Sequence, residues 1–226
     1  MRSRGLLGAL VAASAGVIVY VRWLRPYQMH WGATPGEIER SLPGDEIFPA
    51  PTWNATRAVT VAATPEEIWP WLLQIGWGRA GWYGYDWADN GFRHSSWEIL
   101  REHQHIALGK AFPMSPFSEV RCYAFEPNRW MLWRTGDSAG TWLWYLDPID
   151  GTRTRLITRM RDRYHWRDPI ALAQQLAVDL FDIFFMRKCL LGIKARAERY
   201  ARRAQSRRAG EHAAPDAVMS DLPRQR

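Results

Sequence analysis

The segment between residues 106 and 164 constrains the fold more than any other part of this 226-residue chain. It contains five stretches of strand-like composition separated by turn-forming residues, of which Asp150-Gly151 is the strongest hairpin signal. Asp168 then caps a helix with Pro169 at its first position, and the helical pattern continues to about residue 205. Hairpin-connected strands followed by one long helix predict an α+β domain with an antiparallel sheet. The predicted strands are residues 106–112, 118–125, 130–135, 141–146 and 152–164.

A further strand and a helix precede this meander. Residues 56–62 alternate in polarity and are rich in β-branched side chains, which predicts a strand. Thr64 is placed to cap the helix that follows, and Glu67 completes a capping box three residues later. The apolar face of this helix ends at Gly76. The folded domain is therefore predicted to begin near residue 56.

The last predicted strand has two chemically different faces, because successive side chains of a strand point to opposite sides. We predict that the arginine-bearing face meets water and that the other face looks inward. The arginine face carries Arg153, Arg155, Arg159, Arg161 and Arg163. The inward face carries Thr154, Leu156, Thr158, Met160, Asp162 and Tyr164.

The first part of the C-terminal helix is apolar over more than one face. Phe181, Phe184 and Phe185 cannot all point in one direction at about 3.6 residues per turn. The sheet is predicted to cover one side of this helix, and the glycine- and aromatic-rich residues 76–85 are predicted to cover another. We therefore expect an apolar cavity between the helix and the inward face of the sheet.

The N-terminal residues have the pattern of a membrane anchor. Residues 5–21 contain no charged side chain, and arginines flank them on both sides. With Trp23 and Leu24 the apolar run reaches about 20 residues, which is long enough to span ~30 Å of hydrocarbon. A cleaved signal peptide is the alternative, because residues 13–15 have the small-x-small form of a cleavage site. The apolar run continues well past that site, so we predict a single-pass anchor over residues 1–25.

The formal net charge of +7 is concentrated late in the C-terminal helix, where residues 194–208 carry a net charge of +6. Such a basic arm is attracted to anionic lipid headgroups. Membrane lipids are therefore predicted partners, and the domain is predicted to lie on the cytoplasmic side. Charge confined to one helix end does not favour nucleic acid as a partner.

Composition divides the chain into four regions. The anchor is followed by a collar over residues 26–55, rich in Pro and Gly, in which residues 35–41 suit a short helix capped by Thr34. A ligand-binding domain over residues 56–205 comes next. Residues 206–226 are mainly Ala, Pro and charged residues, which predicts a disordered tail.

Three motifs of the domain resemble a known group of proteins: Thr64-Pro-Glu-Glu-Ile-Trp-Pro-Trp-Leu-Leu73, Gly81-Trp-Tyr-Gly-Tyr-Asp86 and Leu190-Leu-Gly-Ile-Lys194. In this order of strand, helices, meander and long helix, the chain resembles the START-like and polyketide cyclase-like SRPBCC superfamily over about residues 56–205. The collar motifs Trp31-Gly-Ala-Thr34 and Leu42-Pro-Gly-Asp45 look like those of membrane-linked actinobacterial members. The resemblance implies a helix-grip fold, a curved antiparallel sheet around a long C-terminal helix, with an apolar cavity for lipids, sterols, quinones or polyketides. It transfers no catalytic residues, because the superfamily has no common active site.

Candidate ligand-binding residues are the aromatic and apolar side chains on the predicted inward faces. The segment from Trp82 to Asp86 can form the mouth of the cavity and orient the polar end of a ligand. Alternatively, Asp86 caps the next helix and the aromatic rings cover the sheet edge. The full candidate set is Trp82, Tyr83, Tyr85, Trp133, Met160, Tyr164, Phe181 and Phe185.

Asp86 and Asp162 are the candidate acids. Asp162 is predicted to lie beside Tyr164 on the inward face, where burial would raise the pKa of its carboxyl and suit it to proton donation. The alternative for Asp162 is an ion pair with a neighbouring Arg at the end of the strand.

Two further groupings of polar residues were weighed as sites. His94, Ser95 and an Asp at position 86 or 89 can be drawn as a nucleophile arrangement, but the nucleophile elbow that such a serine needs is absent from the sequence. A second grouping has the loose spacing of metal ligands, but it has no third His and no Cys to complete a coordination site. The members of that second grouping are Glu98, Glu102, His103 and His105.

The sequence therefore predicts no catalytic constellation, no metal site and no cofactor. It contains neither a phosphate-binding Gly-Lys-Ser/Thr loop nor a dinucleotide fingerprint. The two cysteines, Cys122 and Cys189, are predicted to be buried thiols that act as small hydrophobic residues.

The predicted function is a membrane-anchored binding or carrier module for a hydrophobic small molecule: a lipid, quinone, sterol or polyketide-like compound. The alternative is a polyketide cyclase- or dehydratase-like enzyme that uses Asp86, Asp162 or a Tyr as its acid or base. A third hypothesis is a structural protein whose cavity is filled by its own 14 Trp residues.

Overall fold

The computed structural model describes residues 14–16, 18–135, 140–163 and 167–219. Six antiparallel strands form one sheet: β1 (Trp53–Val61), β2 (Ala111–Ser115), β3 (Ser118–Glu126), β4 (Trp130–Thr135), β5 (Thr141–Pro148) and β6 (Thr154–Asp162). The helices are α1 (Arg25–Met29), α2 (Pro35–Glu39), α3 (Pro65–Gln74), α4 (Asp86–Asp89) and α5 (Pro169–Met219). A π-helical turn over Tyr20–Leu24 precedes α1, and a 3₁₀ turn over Arg101–His103 precedes β2.

The sheet has the order β1-β6-β5-β4-β3-β2. The strands β2 to β6 follow one another as hairpins, and β1 joins the far edge by pairing with β6, so that Trp53 lies opposite Asp162 and Val61 lies opposite Thr154. The curved sheet closes around α5. The predicted α+β class with an antiparallel meander and a long C-terminal helix is therefore confirmed.

Helix α3 begins as the sequence predicts. The backbone amide of Thr64 donates to the Glu67 carboxylate at 2.9 Å, which completes the capping box and satisfies an amide that the helix leaves open. Ile68 and Leu72 are fully buried on the face that meets the core. The capping box and the apolar face together fix where this helix starts and how it is oriented.

The collar covers the convex face of the sheet, and the sequence pattern does not predict this layer. Leu42 packs there with Leu132, Leu143 and Ile157 in a second hydrophobic cluster. Helix α2 lies at this surface and is held by a capping box between Thr34 and Glu37. The collar is therefore a folded layer of the molecule.

Because of this layer, the prediction that the arginine face of β6 meets water is wrong at its centre. Arg159 is 3% exposed. Its guanidinium donates to the Asp45 carboxylate at 2.6 Å and to the backbone carbonyls of Glu37 and Ile38 at 2.6 and 3.0 Å. The collar supplies the acceptors that allow this charge to be buried.

Two neighbouring arginines of β6 are also bound by the collar. Arg155 makes a two-pronged ion pair with Glu37, with N···O distances of 2.7 and 2.8 Å. Arg161 pairs with Asp45 at 2.6 Å. At the ends of the strand, Arg153 and Arg163 are exposed, as predicted.

Some element boundaries differ from the prediction. Strand β2 begins at Ala111 instead of residue 106, because Gly109 has φ +77° and the amide of Lys110 bonds back to Ala107 in a turn. Helix α5 continues past residue 205 to Met219, through residues rich in the helix formers Ala and Arg. Residues 206–219 of the predicted tail are thus helical, and residues 220–226 lie outside the described residues.

Most of the predicted anchor, residues 1–13 and Val17, lies outside the described residues. In the described part of the chain, we find no helix that combines the length and apolarity needed to cross a bilayer. The described residues just after position 17 are helical, and their apolar side chains are exposed, with Ile18 at 65% and Trp23 at 70%.

Candidate functional site

A cavity of about 480 Å³ lies between α5 and the concave face of the sheet. Helix α5 lines it with Phe181, Phe185 and Cys189, which recur every four residues and so share one face of the helix. Met160 of β6 and Trp142 of β5 form the opposite wall and are direct neighbours in the strand register. The walls are predominantly apolar.

Trp82 and Trp142 form the floor of the cavity, and an aromatic cluster lies behind them. Trp82 stacks on Trp142 with 5.6 Å between ring centroids and 7° between ring planes. Trp133 meets the edges of both rings, at 6.4 and 5.1 Å. Trp142 is fixed in turn by a hydrogen bond from its indole N–H to the Thr158 hydroxyl at 2.8 Å. Such offset and edge-on ring contacts contribute a stabilising free energy in addition to that of the buried apolar area, which favours a rigid floor.

The loop that carries Trp82 is held against α5 by close packing. The amide of Tyr83 donates to the Ser95 hydroxyl at 3.1 Å, and the Tyr83 hydroxyl donates to the carbonyl of Trp71 at 3.0 Å. Gly192 of α5 approaches so closely that a Cβ at this position would lie 2.0 Å from the Tyr83 carbonyl oxygen. The glycine therefore allows the helix to support the loop, and Trp82 is placed as a consequence.

The predicted ligand-binding residues divide into four groups. Trp82, Met160, Phe181 and Phe185 line the cavity. Tyr85 lies outside the lining but meets the ring of Phe185 edge-on at 5.9 Å. Tyr83 and Trp133 are buried behind the wall and are not among the lining residues, so their direct contact with a ligand stays a prediction. Tyr164 lies outside the described residues.

Neither predicted acid lines the cavity. Asp86 accepts hydrogen bonds from the hydroxyl and amide of Ser95, at 2.5 and 3.1 Å, and so ties α4 to the following loop. Asp162 lies half-buried at the end of β6, where its carboxylate accepts a bond from the amide of Arg163 at 2.7 Å. On β6 the residue that lines the cavity is Met160, and Asp162 is not among the lining residues, so a role for Asp162 as an acid stays a prediction.

The polar groupings weighed from the sequence have structural roles. Ser95 bonds to Asp86 and Tyr83, while His94 lies 3.6 Å from Asp86 with its side chain 99% exposed. The backbone carbonyls of His103 and His105 accept bonds from Lys110. Within the described ranges, no group of three or more His, Cys, Asp or Glu side chains is positioned to hold a metal ion.

Asp89 is the cavity carboxylate that the sequence prediction missed. Its Oδ2 accepts the amide of Tyr85 at 2.8 Å, while its Oδ1 is buried and has no hydrogen-bond partner among the described residues. Burial raises the pKa of Asp89, with a further contribution from the neighbouring charge of Asp86, although the Tyr85 amide opposes the shift. An unpaired buried acceptor is costly unless a ligand satisfies it.

A second carboxylate of the cavity is paired. Asp182 of α5 accepts a bond from the guanidinium of Arg57 at 2.5 Å, and Arg57 is fully buried on β1 and also donates to the carbonyl of Gln28 at 2.8 Å. Burial raises the pKa of Asp182, and the Arg57 charge acts against that shift. This pair joins α5, the sheet and the collar beside the cavity.

Cys189 lines the cavity as a buried free thiol, and Cys122 is buried in β3. The prediction of two buried thiols is confirmed. Burial raises the pKa of the Cys189 thiol, so it remains protonated at neutral pH and packs as an apolar group.

Comparison with known proteins gives structural neighbours at low identity. No protein-family model matches the chain, and no curated protein matches its sequence. A polyketide cyclase-like protein of Corynebacterium glutamicum shares 15% identity, covering 62% of this chain and 88% of its own, with a TM-score of 0.40. The Zhui aromatase/cyclase of a Streptomyces species shares 18%, covering 65% and 94%, with a TM-score of 0.40. CalU16 of Micromonospora echinospora shares 13%, covering 72% and 91%, with a TM-score of 0.33.

These identities and TM-scores are too low to transfer an activity to this chain. The fold itself follows from the strand order, the curved sheet and the long C-terminal helix that it encloses. The chain has a helix-grip fold. In this chain the collar residues Ala33, Leu42 and Ile47 pack on the convex face of the sheet.

The cavity of this helix grip opens beside the N-terminal segment. Phe181 and Phe185 are 54% and 37% exposed at the opening. On the same helix, the buried carboxylate of Asp179 accepts bonds from the Arg25 guanidinium at 2.9 Å, the Tyr20 hydroxyl at 3.4 Å and the Trp53 indole at 3.0 Å. Tyr20 and Arg25 of the N-terminal segment are thus bonded to the helix next to the cavity mouth.

Proposed function

We propose that this protein is a membrane-anchored binding module that takes an apolar small molecule from the bilayer into its helix-grip cavity. The observation that carries the proposal is the cavity itself: a space of about 480 Å³ with aromatic and aliphatic walls, which is the size and character of a small-molecule site. Its own Trp residues form the floor and leave this space open. The hypothesis of a cavity filled by tryptophan is therefore not supported.

The surroundings of the mouth favour entry from a membrane. Apolar side chains are exposed both at the mouth, on Phe181 and Phe184, and on the N-terminal segment, on Ile18 and Val21. The bonds to Asp179 hold these two surfaces together. Exposed apolar surface of this kind marks an interaction site, and a bilayer would cover it. An apolar ligand could then pass from lipid to cavity without crossing water.

The ligand is expected to have a polar end. Two lining residues, Asp89 and Trp82, each keep a buried polar atom without a partner among the described residues: the Asp89 Oδ1 acceptor and the Trp82 indole N–H donor. A hydroxyl group can donate to the first and accept from the second. The substrate class is therefore an apolar ring or chain that bears a hydroxyl.

This expectation is tested by equilibrium dialysis of the full chain in neutral detergent micelles, with empty micelles as the blank. The probes are 2-naphthol and 2-methylnaphthalene, which have nearly the same shape and differ in the hydroxyl. We expect 2-naphthol to bind about tenfold more tightly, because one hydrogen bond at a buried acceptor contributes about 1–2 kcal/mol. Equal excess binding of the two probes would contradict the proposed polar end.

A variant pair assigns the preference to Asp89. Asp89→Asn keeps an oxygen for the Tyr85 amide and replaces the unpaired acceptor, so the preference for 2-naphthol should fall at least about threefold. The control is Asp147→Asn, a carboxylate paired with Arg40 away from the cavity. A preference that survives in Asp89→Asn, or is lost equally in Asp147→Asn, removes Asp89 from the site.

A cyclase-like enzyme is the second candidate, and Asp89 is the observation that favours it. A buried carboxyl with a raised pKa at a cavity wall has the properties of a general acid or base. Incubation with a short linear poly-β-ketone thioester and mass spectrometry of the products would test it. Ring formation that is lost in Asp89→Asn supports the enzyme, and its absence from wild type removes this candidate.

A further inference from the structure

A second large groove lies on the C-terminal half of α5, away from the cavity. It has a volume of about 550 Å³ and is formed between α5 and residues 97–101. The walls combine aromatic side chains, among them Trp71, Trp97 and Tyr200, with a set of arginines. The arginines are Arg101, Arg196, Arg199, Arg203, Arg207 and Arg208.

Helix spacing places these charges in one row. Arg196, Arg199, Arg203 and Arg207 follow one another at intervals of three or four residues, so each helical turn presents a guanidinium to the groove. Like charges at this spacing repel one another and destabilise a helix. The row therefore favours binding of an anion that neutralises it.

The arginines of the row differ in role. Arg196 is buried, and its guanidinium donates to the carbonyls of Ser96, Gly192 and Ser95 at 2.6, 3.2 and 3.3 Å, so it holds the groove wall together. Arg199 lies over the ring of Trp97, with 5.2 Å from guanidinium carbon to ring centroid. Arg199, Arg203 and Arg207 are all solvent-accessible and can turn toward a ligand.

Among the described residues, carboxylates balance little of the charge of Arg196, Arg199, Arg203 and Arg207. Among the described lining residues one carboxylate is present, Glu98, which lies 3.8 Å from Arg203 and is 75% exposed. Glu198 of the same helix is engaged elsewhere, because it accepts bonds from Lys194 at 2.5 Å and from the Ala62 amide at 2.9 Å. The groove thus concentrates positive charge on a preformed, partly aromatic surface.

We propose that this groove is a second binding site, for a ligand with two or more linked phosphate groups. Guanidinium groups in a row match the oxygens of such an anion through paired, charge-assisted hydrogen bonds. Arg203 is 24 residues beyond Asp179 on one helix, which is about 36 Å at 1.5 Å per residue. The groove is therefore at the far end of α5 from the cavity mouth, and it stands independently of the cavity's function.

The experiment is calorimetric titration of the full chain in neutral detergent micelles with tripolyphosphate. The test variant is Arg199→Gln with Arg203→Gln, and the matched control is Arg202→Gln with Arg129→Gln. The control removes the same total charge at residues that do not line the groove. We expect the groove variant to bind tripolyphosphate at least about tenfold more weakly and the control to stay within about threefold of wild type. The reason is that direct guanidinium–phosphate hydrogen bonds contribute more to affinity than the long-range attraction between net charges, which salt screens.

Arg207→Gln alone provides a milder test on a solvent-exposed side chain, and we expect a loss of severalfold in affinity. Circular dichroism confirms that each variant is folded. Absence of tripolyphosphate binding to wild type would overturn the proposal. An equal loss in the groove variant and in the control would also overturn it, since it would reduce the effect to net charge.

A second titrant, geranyl diphosphate in the same micelles, distinguishes the source of the linked phosphates. Binding of tripolyphosphate alone, lost in the groove variant, supports the site with a soluble ligand. Binding of geranyl diphosphate that shows the same dependence on Arg199 and Arg203 supports the site with a lipid diphosphate as the ligand.

Discussion

Gly192 is the residue at which α5 and the loop of Trp82 meet most closely. A methyl group at this position would lie 2.0 Å from the Tyr83 carbonyl oxygen and 2.7 Å from its Cβ, so the helix or the loop must move. We expect Gly192→Ala to lower the free energy of unfolding by about 1–3 kcal/mol, measured by urea denaturation. Gly36→Ala is the control, because a Cβ there meets nothing within 4 Å and the position is helical. Equal stability of the two variants would contradict the close packing.

Single residues show where the sequence was informative about the site. Trp82, Met160 and Phe185 could be predicted because aromatic and apolar side chains at the right strand or helix period must face a core. Asp89 could not, because in sequence it is an acid on a short polar helix. It shares the cavity wall with Phe185 and Cys189 of α5, which lie about a hundred residues later in the chain. The same non-local packing hides Trp133 behind the wall.

At the scale of elements, the collar and the convex face of β6 form a buried polar layer. We expect Arg159→Met to lower the free energy of unfolding by about 3 kcal/mol or more, because it leaves Asp45 and the carbonyls of Glu37 and Ile38 without their donor. Arg153→Met, which breaks a surface pair with Asp150, should change it by less than about 1 kcal/mol. Denaturant titration of both variants provides the measurement. A small effect at Arg159 would mean that the collar detaches readily.

The same layer predicts a pH dependence of stability. Burial lowers the pKa of His30 from its ordinary value of 6.5, and the charges of Arg57, Arg159 and Arg25 lower it further. Below pH 6.5 the unfolded chain therefore takes up a proton that the folded chain resists, so the free energy of unfolding falls with falling pH. We expect His30→Gln to flatten this slope between pH 7.5 and 5.5. Burial also lowers the pKa of His103, so this residue contributes a slope of the same sign and part of the pH dependence should remain in His30→Gln. An unchanged slope in His30→Gln would contradict the assignment.

The order of the elements could be read from the sequence, and their coverings could not. Alternation and turn residues predict β3, β4, β5 and β6 closely, because they depend on neighbouring residues. They do not reveal that Arg159 faces a collar, since its partners Glu37 and Asp45 lie more than a hundred residues earlier. A strand face that carries arginines is therefore predicted to meet solvent. In this chain the collar instead supplies hydrogen-bond acceptors for Arg159.

In the whole molecule, three features lie along α5. They are a cavity mouth beside the N-terminal segment, an apolar cavity, and an arginine groove toward the C-terminal half of the helix. The Asp179 bonds and the Arg57–Asp182 pair connect the N-terminal segment and collar to the helix that lines the cavity. The central claim is that the cavity holds an apolar molecule.

Native mass spectrometry of the full chain, released from neutral micelles, tests this claim most directly. Wild type and Ile149→Lys, an exposed position in the β5–β6 turn, should retain a co-purified or added apolar molecule. Met160→Lys places a charge in the cavity wall and should abolish retention while the protein remains folded by circular dichroism. Equal retention by Met160→Lys and wild type, or no bound molecule on wild type even after addition of 2-naphthol, would contradict the account.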